Sequence, residues 1–582
     1  ASQSVERIAE NSAELMTEMT KTAAAYLKGV EQGENKPAKS GEDALDIVKT
    51  LTAVAERWMG APEKAADLQK KVSDDMLKLW TETLKTMQGG KAEPVAPTPA
   101  RDARFADPDW EKNPYFNALK QAYFVGSNWL NTLVDNAEGL DEQTRRKANF
   151  YIRQIQAMLS PSNYVLTNPE LLRTTLEEKG ANLVRGMRML AEDVERGNGQ
   201  LRIRQTDDSG FEVGRNIANT PGKVVYRNAL IEQFQYSPTT EKVWKTPLLI
   251  VPPWINKFYV LDLNVEKSFI RWCVQQGLTV FTVSWVNPDE RHKKMGFTEY
   301  MKLGPIAALD EIRAITGEES AHAIGYCVGG TMLAITLAYL WAKGQGQRVK
   351  SATLFTTQVD FTYAGDLLAF VDEDSIAKVE GSMKEKGYLA GSKMANAFNM
   401  LRPVDLIWNY YVNNYLKGKS PAPFDLLYWN ADSTRMPEAN HSFYLRNCYL
   451  KNMLSKGKME VDGVKLSLKA VKTPVYNLAA REDHIAPAKS VFHGCQFFGG
   501  PVKYVMAGSG HIAGVVNPAN KPKYQYWTGG PAVGDFDAWV AGAQESPGTW
   551  WLDWIQWVTK DEPQVAARQP GEDGRTLLGE AP

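Results

Sequence analysis

Apolar residues over positions 1–200 recur at helical spacing in stretches rich in Ala, Glu, Lys, Leu and Met, which predicts helices throughout. The pattern breaks at Gly33-Glu34-Asn35-Lys36-Pro37 and again over 89–103, where Gly89-Gly90 and Pro94, Pro97 and Pro99 make a linker. It resumes through Phe116–Val134, Glu142–Leu159 and Pro169–Arg196, with Ser160-Pro161-Ser162 as a break. From about Leu201 the period changes. Short β-branched and aromatic runs such as Val224-Val225-Tyr226 and Ile231–Tyr236 appear, and beyond them continuous apolar runs alternate with helical stretches. That alternation is the pattern of a mostly parallel sheet covered by helices. Strands are predicted at Leu248–Val251, Leu278–Trp285, Ala321–Gly325, Lys350–Thr356, Pro474–Leu478 and Val502–Met506. The chain therefore divides into an all-helical domain, 1–200, and an α/β domain, 201–582. Residues 357–472, rich in aromatics and Asn, are too long for an ordinary connection and read as an inserted cap. After Lys560 the composition turns to Pro, Gly and charge, which predicts a disordered tail.

Composition acts mainly by exclusion. Of 582 residues, 43% are hydrophobic and 23% charged, which excludes whole-chain disorder, collagen and coiled coil. Basic residues number 67 against 68 acidic, so no global charge excess draws nucleic acid or an anionic membrane. The segment 324–342 lacks formal charge, but it opens on a Gly/Cys/Gly/Gly turn that fits a buried strand-turn-helix better than a transmembrane span. The cysteines, Cys273, Cys327, Cys448 and Cys495, show no C-x-x-C spacing, and H-E-x-x-H is missing, so no metal is expected and a reducing compartment is. Residues 1–7 carry an acid and no apolar run of signal-peptide length, which gives a cytoplasmic expectation.

The candidate chemistry starts at Gly325-Tyr326-Cys327-Val328-Gly329-Gly330, where an apolar strand runs through glycines into an apolar helix. It has the form of a G-x-S-x-G nucleophile elbow with Cys in place of Ser. Small residues on either side leave room for a strained central residue, and a helix N-terminus favours the thiolate. The Val328 N–H would face the oxyanion position. A buried structural Cys in a Gly-rich turn is the alternative. Chain order favours the elbow: an acid and then a His should follow later strands, and Arg481-Glu482-Asp483-His484 and Gly510-His511-Ile512-Ala513-Gly514 do so. Cys327 is read as nucleophile, His511 as base and Asp483 as acid, on an α/β-hydrolase-like fold. His484 competes as base, while His292, His322, His441 and His493 read as surface or satisfied core residues. The loop Val251-Pro252-Pro253-Trp254-Ile255-Asn256-Lys257 offers the second oxyanion donor, the N–H of Ile255 or Asn256, unless it is simply a rigid turn.

Together with Ser284-Trp285-Val286-Asn287-Pro288-Asp289, Phe424–Asn430 and Gly548-Thr549-Trp550-Trp551, these segments resemble those of the polyhydroxyalkanoate (PHA) synthases. The residues around Cys327 look like class I, the group handling short-chain units. The resemblance runs from about Arg104 to Trp557 and implies a Cys-His-Asp acyltransferase. It would acylate Cys327 from (R)-3-hydroxyacyl-CoA, release CoA and extend a polyester, with no cofactor beyond the CoA of the substrate. It also implies a homodimer on the granule of its own polymer, with phasin-type proteins as further partners. Asp483 would orient His511 or help activate the incoming hydroxyl. Asn256 and Trp429 are candidate substrate contacts. Trp408, Tyr410, Tyr411, Tyr415, Tyr428 and Trp429 suit a dry channel or, alternatively, the cap's own core. Trp550, Trp551, Trp554 and Trp557 suit the granule surface or a packed helix. A Cys hydrolase and a non-enzymatic granule coat protein remain as the competing readings.

Overall fold

A computed structural model describes residues 2–31, 40–91, 93–99, 101–521 and 523–582. The interruption read at Gly33–Pro37 lies outside them. The chain divides into two compact units, Ala1–Asp207 with Phe398–Pro423, and Asp208–Ala397 with Phe424–Pro582.

The first unit is helical, with long helices at Ser2–Glu31, Ser40–Met59, Pro62–Met87, Pro114–Asp135, Glu142–Leu159 and Ala181–Arg196. Several begin where the sequence supplies caps. Asn113, Asp141 and Asn168 accept backbone N–H groups of Tyr115, Thr144 and Leu171, and Pro114 and Pro169 take the first helical position. Its cores are small, one around Phe105, Trp110, Phe116 and Phe124, another around Val54, Val134, Ala148 and Ile152. Residues 398–423, read from the sequence as part of the cap, pack here. Tyr415 Oη donates to the buried Asp193 at 2.6 Å, and Asn182 Nδ2 donates to the Leu416 carbonyl at 2.8 Å. Gly186 permits this contact, because a Cβ there would lie 1.8 Å from the Tyr415 carbonyl oxygen. The aromatic run Trp408, Tyr411 and Tyr415 thus stacks within the helical unit.

The second unit is built on an 11-stranded sheet. In chain order its strands, with the short partner β3 and the tail strand β12 of a separate two-stranded pair, are β1 Gly222–Arg227, β2 Ile231–Tyr236, β3 Lys242–Trp244, β4 Leu248–Val251, β5 Val280–Trp285, β6 Ala321–Tyr326, β7 Val349–Phe355, β8 Val475–Ala480, β9 Val502–Ala507, β10 Gln525–Thr528, β11 Gln544–Pro547, β12 Gln564–Ala566 and β13 Gly579–Glu580. Across the large sheet the order is β11-β10-β9-β8-β7-β6-β4-β5-β2-β1-β13. The stretch from β5 through β4, β6, β7 and β8 to β9 is parallel, and the flanking strands are antiparallel. The parallel strands are those the apolar runs predicted. β4, β6 and β8 are buried at every position, as strands covered on both faces must be.

One expectation is corrected. The tail after Lys560 is ordered, since β12 pairs with β3 and β13 with β1, and Arg568 and Arg575 pair with Glu318 and Glu311. Its charged composition serves edge pairing and ion pairs rather than disorder. Of the two readings of the C-terminal tryptophans, the packed helix holds: Trp550, Trp551 and Trp554 are at most 1% exposed and surround Phe269. No helix among the described residues is long and apolar enough to cross a membrane.

Candidate active site

β6 ends at Tyr326 and a helix starts at Val328, which forces Cys327 into φ 53°, ψ −123°. A non-glycine residue there stores roughly 1–3 kcal/mol of strain. The surroundings hold it: Cys327 N–H donates to the Phe355 carbonyl at 2.9 Å, and its own carbonyl accepts from Gly330 and Thr331. The glycines are required by space. A Cβ on Gly325 would sit 2.5 Å from the Gly330 Cα, one on Gly329 2.4 Å from the Val251 carbonyl oxygen, and one on Gly330 1.8 Å from Thr357 Oγ1. Cys327 alone of the four cysteines is partly exposed. Burial holds the thiols of Cys273, Cys448 and Cys495 above the ordinary range. Val328 opens the helix, so its N–H has no intrahelical acceptor.

The acid and the histidine arrive on loops after β8 and β9. His511 Nδ1 lies 2.6 Å from Asp483 Oδ2, while Asp483 Oδ1 accepts the N–H groups of Ile485 and Ala486 at 2.8 and 2.9 Å. Burial alone would lower His511. It is outweighed by the charge and hydrogen bond of Asp483 and by the neighbouring Cys327, and the imidazole is held well above its ordinary range. The structure therefore brings Cys327, His511 and Asp483 together and puts the Asp483 carboxylate on His511. Several supports were not apparent in the sequence. Tyr326 Oη donates to the His511 carbonyl at 2.9 Å, and Trp550 and Trp551 donate from below to the carbonyls of Gly514 and Val515. Gln358 completes the set, its Nε2 donating to the Ile485 carbonyl at 2.7 Å. These are tertiary contacts between segments far apart in sequence, with no local signature.

The loop after β4 is pinned at both ends. Trp285 Nε1 donates to the Pro252 carbonyl and Trp429 Nε1 to the Lys257 carbonyl, while Asn256 bridges to Ser433. Thr434 Oγ1 donates to the Trp254 carbonyl at 2.8 Å. Ile255 is buried, and Trp429, 3% exposed, belongs to the core and braces this loop through its indole. Of the remaining histidines, His292 caps its own turn and His322 meets Ser351 and Glu562 in the interior. His441 departs from the expectation of a satisfied core residue: it is buried, and its Nδ1 has no hydrogen-bond partner.

A parallel sheet with a strained strand-to-helix nucleophile turn, and with an acid and a histidine after later strands, defines the α/β-hydrolase class. Residues 246–518 match the family described as alpha/beta hydrolase fold, and residues 101–273 match "Poly-beta-hydroxybutyrate polymerase (PhaC) N-terminus". The chain is 57% identical to a poly(3-hydroxyalkanoate) polymerase of Methylorubrum extorquens, over 99% of this chain and 96% of that one. It is 54% identical to the polymerase subunit PhaC of Rhizobium etli (99% and 91% covered) and 40% identical to that of Cupriavidus necator (90% and 87% covered). The chain belongs to the poly(3-hydroxyalkanoate) polymerase family.

Proposed function

We propose that this protein polymerises short-chain (R)-3-hydroxyacyl-CoA, such as 3-hydroxybutyryl-CoA, into polyester through an acyl-enzyme on Cys327. The observation that carries the reading is the partly exposed Cys327, on a positive-φ turn at a helix start, beside a His511 already paired with Asp483. The 57% identity to a polymerase over nearly the whole chain supports the substrate class. His511 takes the thiol proton and Cys327 Sγ bonds the acyl carbon. The carbon–sulfur bond to CoA breaks, and the CoA sulfur receives the proton. A thiolate suits this exchange because thiol and thioester are nearly matched in energy.

In elongation His511 removes the proton of a 3-hydroxyl, and that oxygen bonds the acyl carbon held on Cys327. The bond to Sγ breaks, and Cys327 recovers the proton. The Asp483 hydrogen bond to Nδ1 supports an orienting role for the carboxylate, with Nε2 turned to the thiol. The N–H of Val328, joined by that of Ile255 or Asn256, would hold the oxyanion. No cofactor enters these steps. The exposed apolar side chains of the helical unit, among them Met16, Leu27, Met59, Leu77, Trp80 and Met87, support work at a hydrophobic polymer surface. The test is purified protein with (R)-3-hydroxybutyryl-CoA, following CoA release and insoluble polyester. Polymer with continuing CoA release is expected. CoA release with only free hydroxy acid would make the protein a thioesterase and overturn the reading.

A further inference from the structure

The cap helix Glu438–Phe443 continues directly into a wider turn at Tyr444–Leu450. Its faces can be assigned from contacts. Ser442 bonds Glu380 on one side, and Phe443 stacks on Phe297 at 4.8 Å on another. Tyr444 meets Trp254 of the loop after β4 at 5.8 Å and Phe361 at 6.1 Å. Residues three and four apart on a helix share a face, so Asn440 and His441 lie on the face that Tyr444 turns toward that loop. Burial first, then the neighbouring Tyr449 and Cys327, hold the Tyr444 hydroxyl protonated.

On this face the polar atoms are unmatched. Asn440 is 0% exposed, yet neither its Oδ1 nor its Nδ2 has a hydrogen-bond partner in the protein, and the same holds for Nδ1 of His441 at 2% exposure. A buried amide with nothing to bond costs stability, and one such group in a native fold calls for a reason. A single orphan could be incidental. Two on consecutive residues, one helical turn from a tyrosine packed on the loop after β4, form a polar strip beside aromatic side chains.

We propose that Asn440, with His441, forms a subsite for the ester carbonyls of the growing chain beyond the residue bound to Cys327. The inference rests on the polymerase reading and deepens it. Asn440 Nδ2 donates to a chain carbonyl, and the strip holds the chain end in place while the next unit arrives. It has no part in the first acylation, when no chain is present. A group that only structured the cap would affect both phases alike, and its removal would lower stability.

The experiment is Asn440→Leu, nearly equal in volume, in the full-length protein with (R)-3-hydroxybutyryl-CoA. Thermal unfolding, the first CoA released per Cys327 in a rapid-quench burst, and steady-state elongation with polymer mass are measured. The expected result is a Tm equal to or above that of the unsubstituted protein, a burst rate within about twofold, and elongation lowered about tenfold or more with shorter polymer. Asn440→Gln, which keeps the donor, should recover part of the elongation. Unchanged elongation and polymer mass would overturn the subsite. So would equal loss of burst and elongation, or a lowered Tm that tracks the activity loss. If the unsubstituted protein gives a burst but no polymer, the polymerase reading falls and the subsite with it. Polymer from the unsubstituted protein with unaltered polymer from Asn440→Leu removes the subsite alone.

Discussion

Gly329 and Gly330 differ in what stands in the way of a side chain. At Gly329 the obstacles are backbone, the carbonyl groups of Val251 and Pro252, whereas at Gly330 they are the side-chain atoms of Thr357. Gly329→Ala should therefore cost stability by at least about 1–3 kcal/mol with no compensating partner. Gly330→Ala should be partly rescued by Thr357→Ala. Denaturant midpoints of the two single variants and the Gly330/Thr357 double variant test this, and equal rescue of both glycine variants would contradict it. At the same scale, Asp483→Asn should leave the fold intact while acylation of Cys327 slows by roughly 10²–10⁴-fold, since the imidazole loses the anion that orients it and holds its proton. A single-turnover CoA burst reads that change.

The cap helix that bears Asn440 and His441 carries a pH dependence as an element. Burial depresses His441 to about 4, against about 6.5 for a free histidine. The unfolded state therefore binds the proton first, so the stability contribution is complete above pH 6.5 and is lost as pH falls through 4. The loss amounts to about 3 kcal/mol at most. Comparing urea unfolding at pH 7.5 and 4.5, His441→Phe should show a smaller drop than the unsubstituted protein. An identical drop would contradict the buried neutral histidine. The strands were legible at this scale because parallel strands buried on both faces must be apolar throughout, so β4 to β9 announce themselves as runs. The cap was not: its length was plain, but residues 398–423 pack against Gly186 and Asp193, partners more than two hundred positions away that no local pattern reveals. Cys327, Asp483 and His511 could be read from spacing because the turn and the strand ends that present them are local. Tyr326, Gln358 and Trp550 brace them through distant contacts and could not.

Over the whole molecule, the C-terminal tail ties the sheet together. Glu562 is buried against Thr246, Lys350 and His322, which come from or beside β4, β7 and β6. Burial alone would raise this carboxyl; the hydrogen bonds from His322, Lys350 and Thr246 outweigh it and hold the group at about 2. Its contribution is present above about pH 4.5 and lost as pH falls toward 2. Glu562→Gln should lower stability at pH 7 by roughly 1–3 kcal/mol and flatten the acid limb of the unfolding curve. Removing 561–582 should cost more, because it also strips β1 and β3 of their edge partners. A truncated protein with an unchanged Tm would contradict that account. The disordered tail expected from composition fails for this reason: Glu562, Arg568 and Arg575 have fixed partners, and the segment pairs with two strand edges.

The proposed function stands or falls with passage of the acyl chain through Cys327. The direct measurement is to quench the protein within the first turnover of (R)-3-hydroxybutyryl-CoA and locate the acyl group by peptide mass, with Cys327→Ala treated in parallel. The expected outcome is a 3-hydroxybutyryl thioester on the peptide containing Cys327 and on no other cysteine, no adduct in Cys327→Ala, and a delayed adduct in His511→Gln. Polymer formation with the acyl group on another residue, or by Cys327→Ala itself, would contradict it.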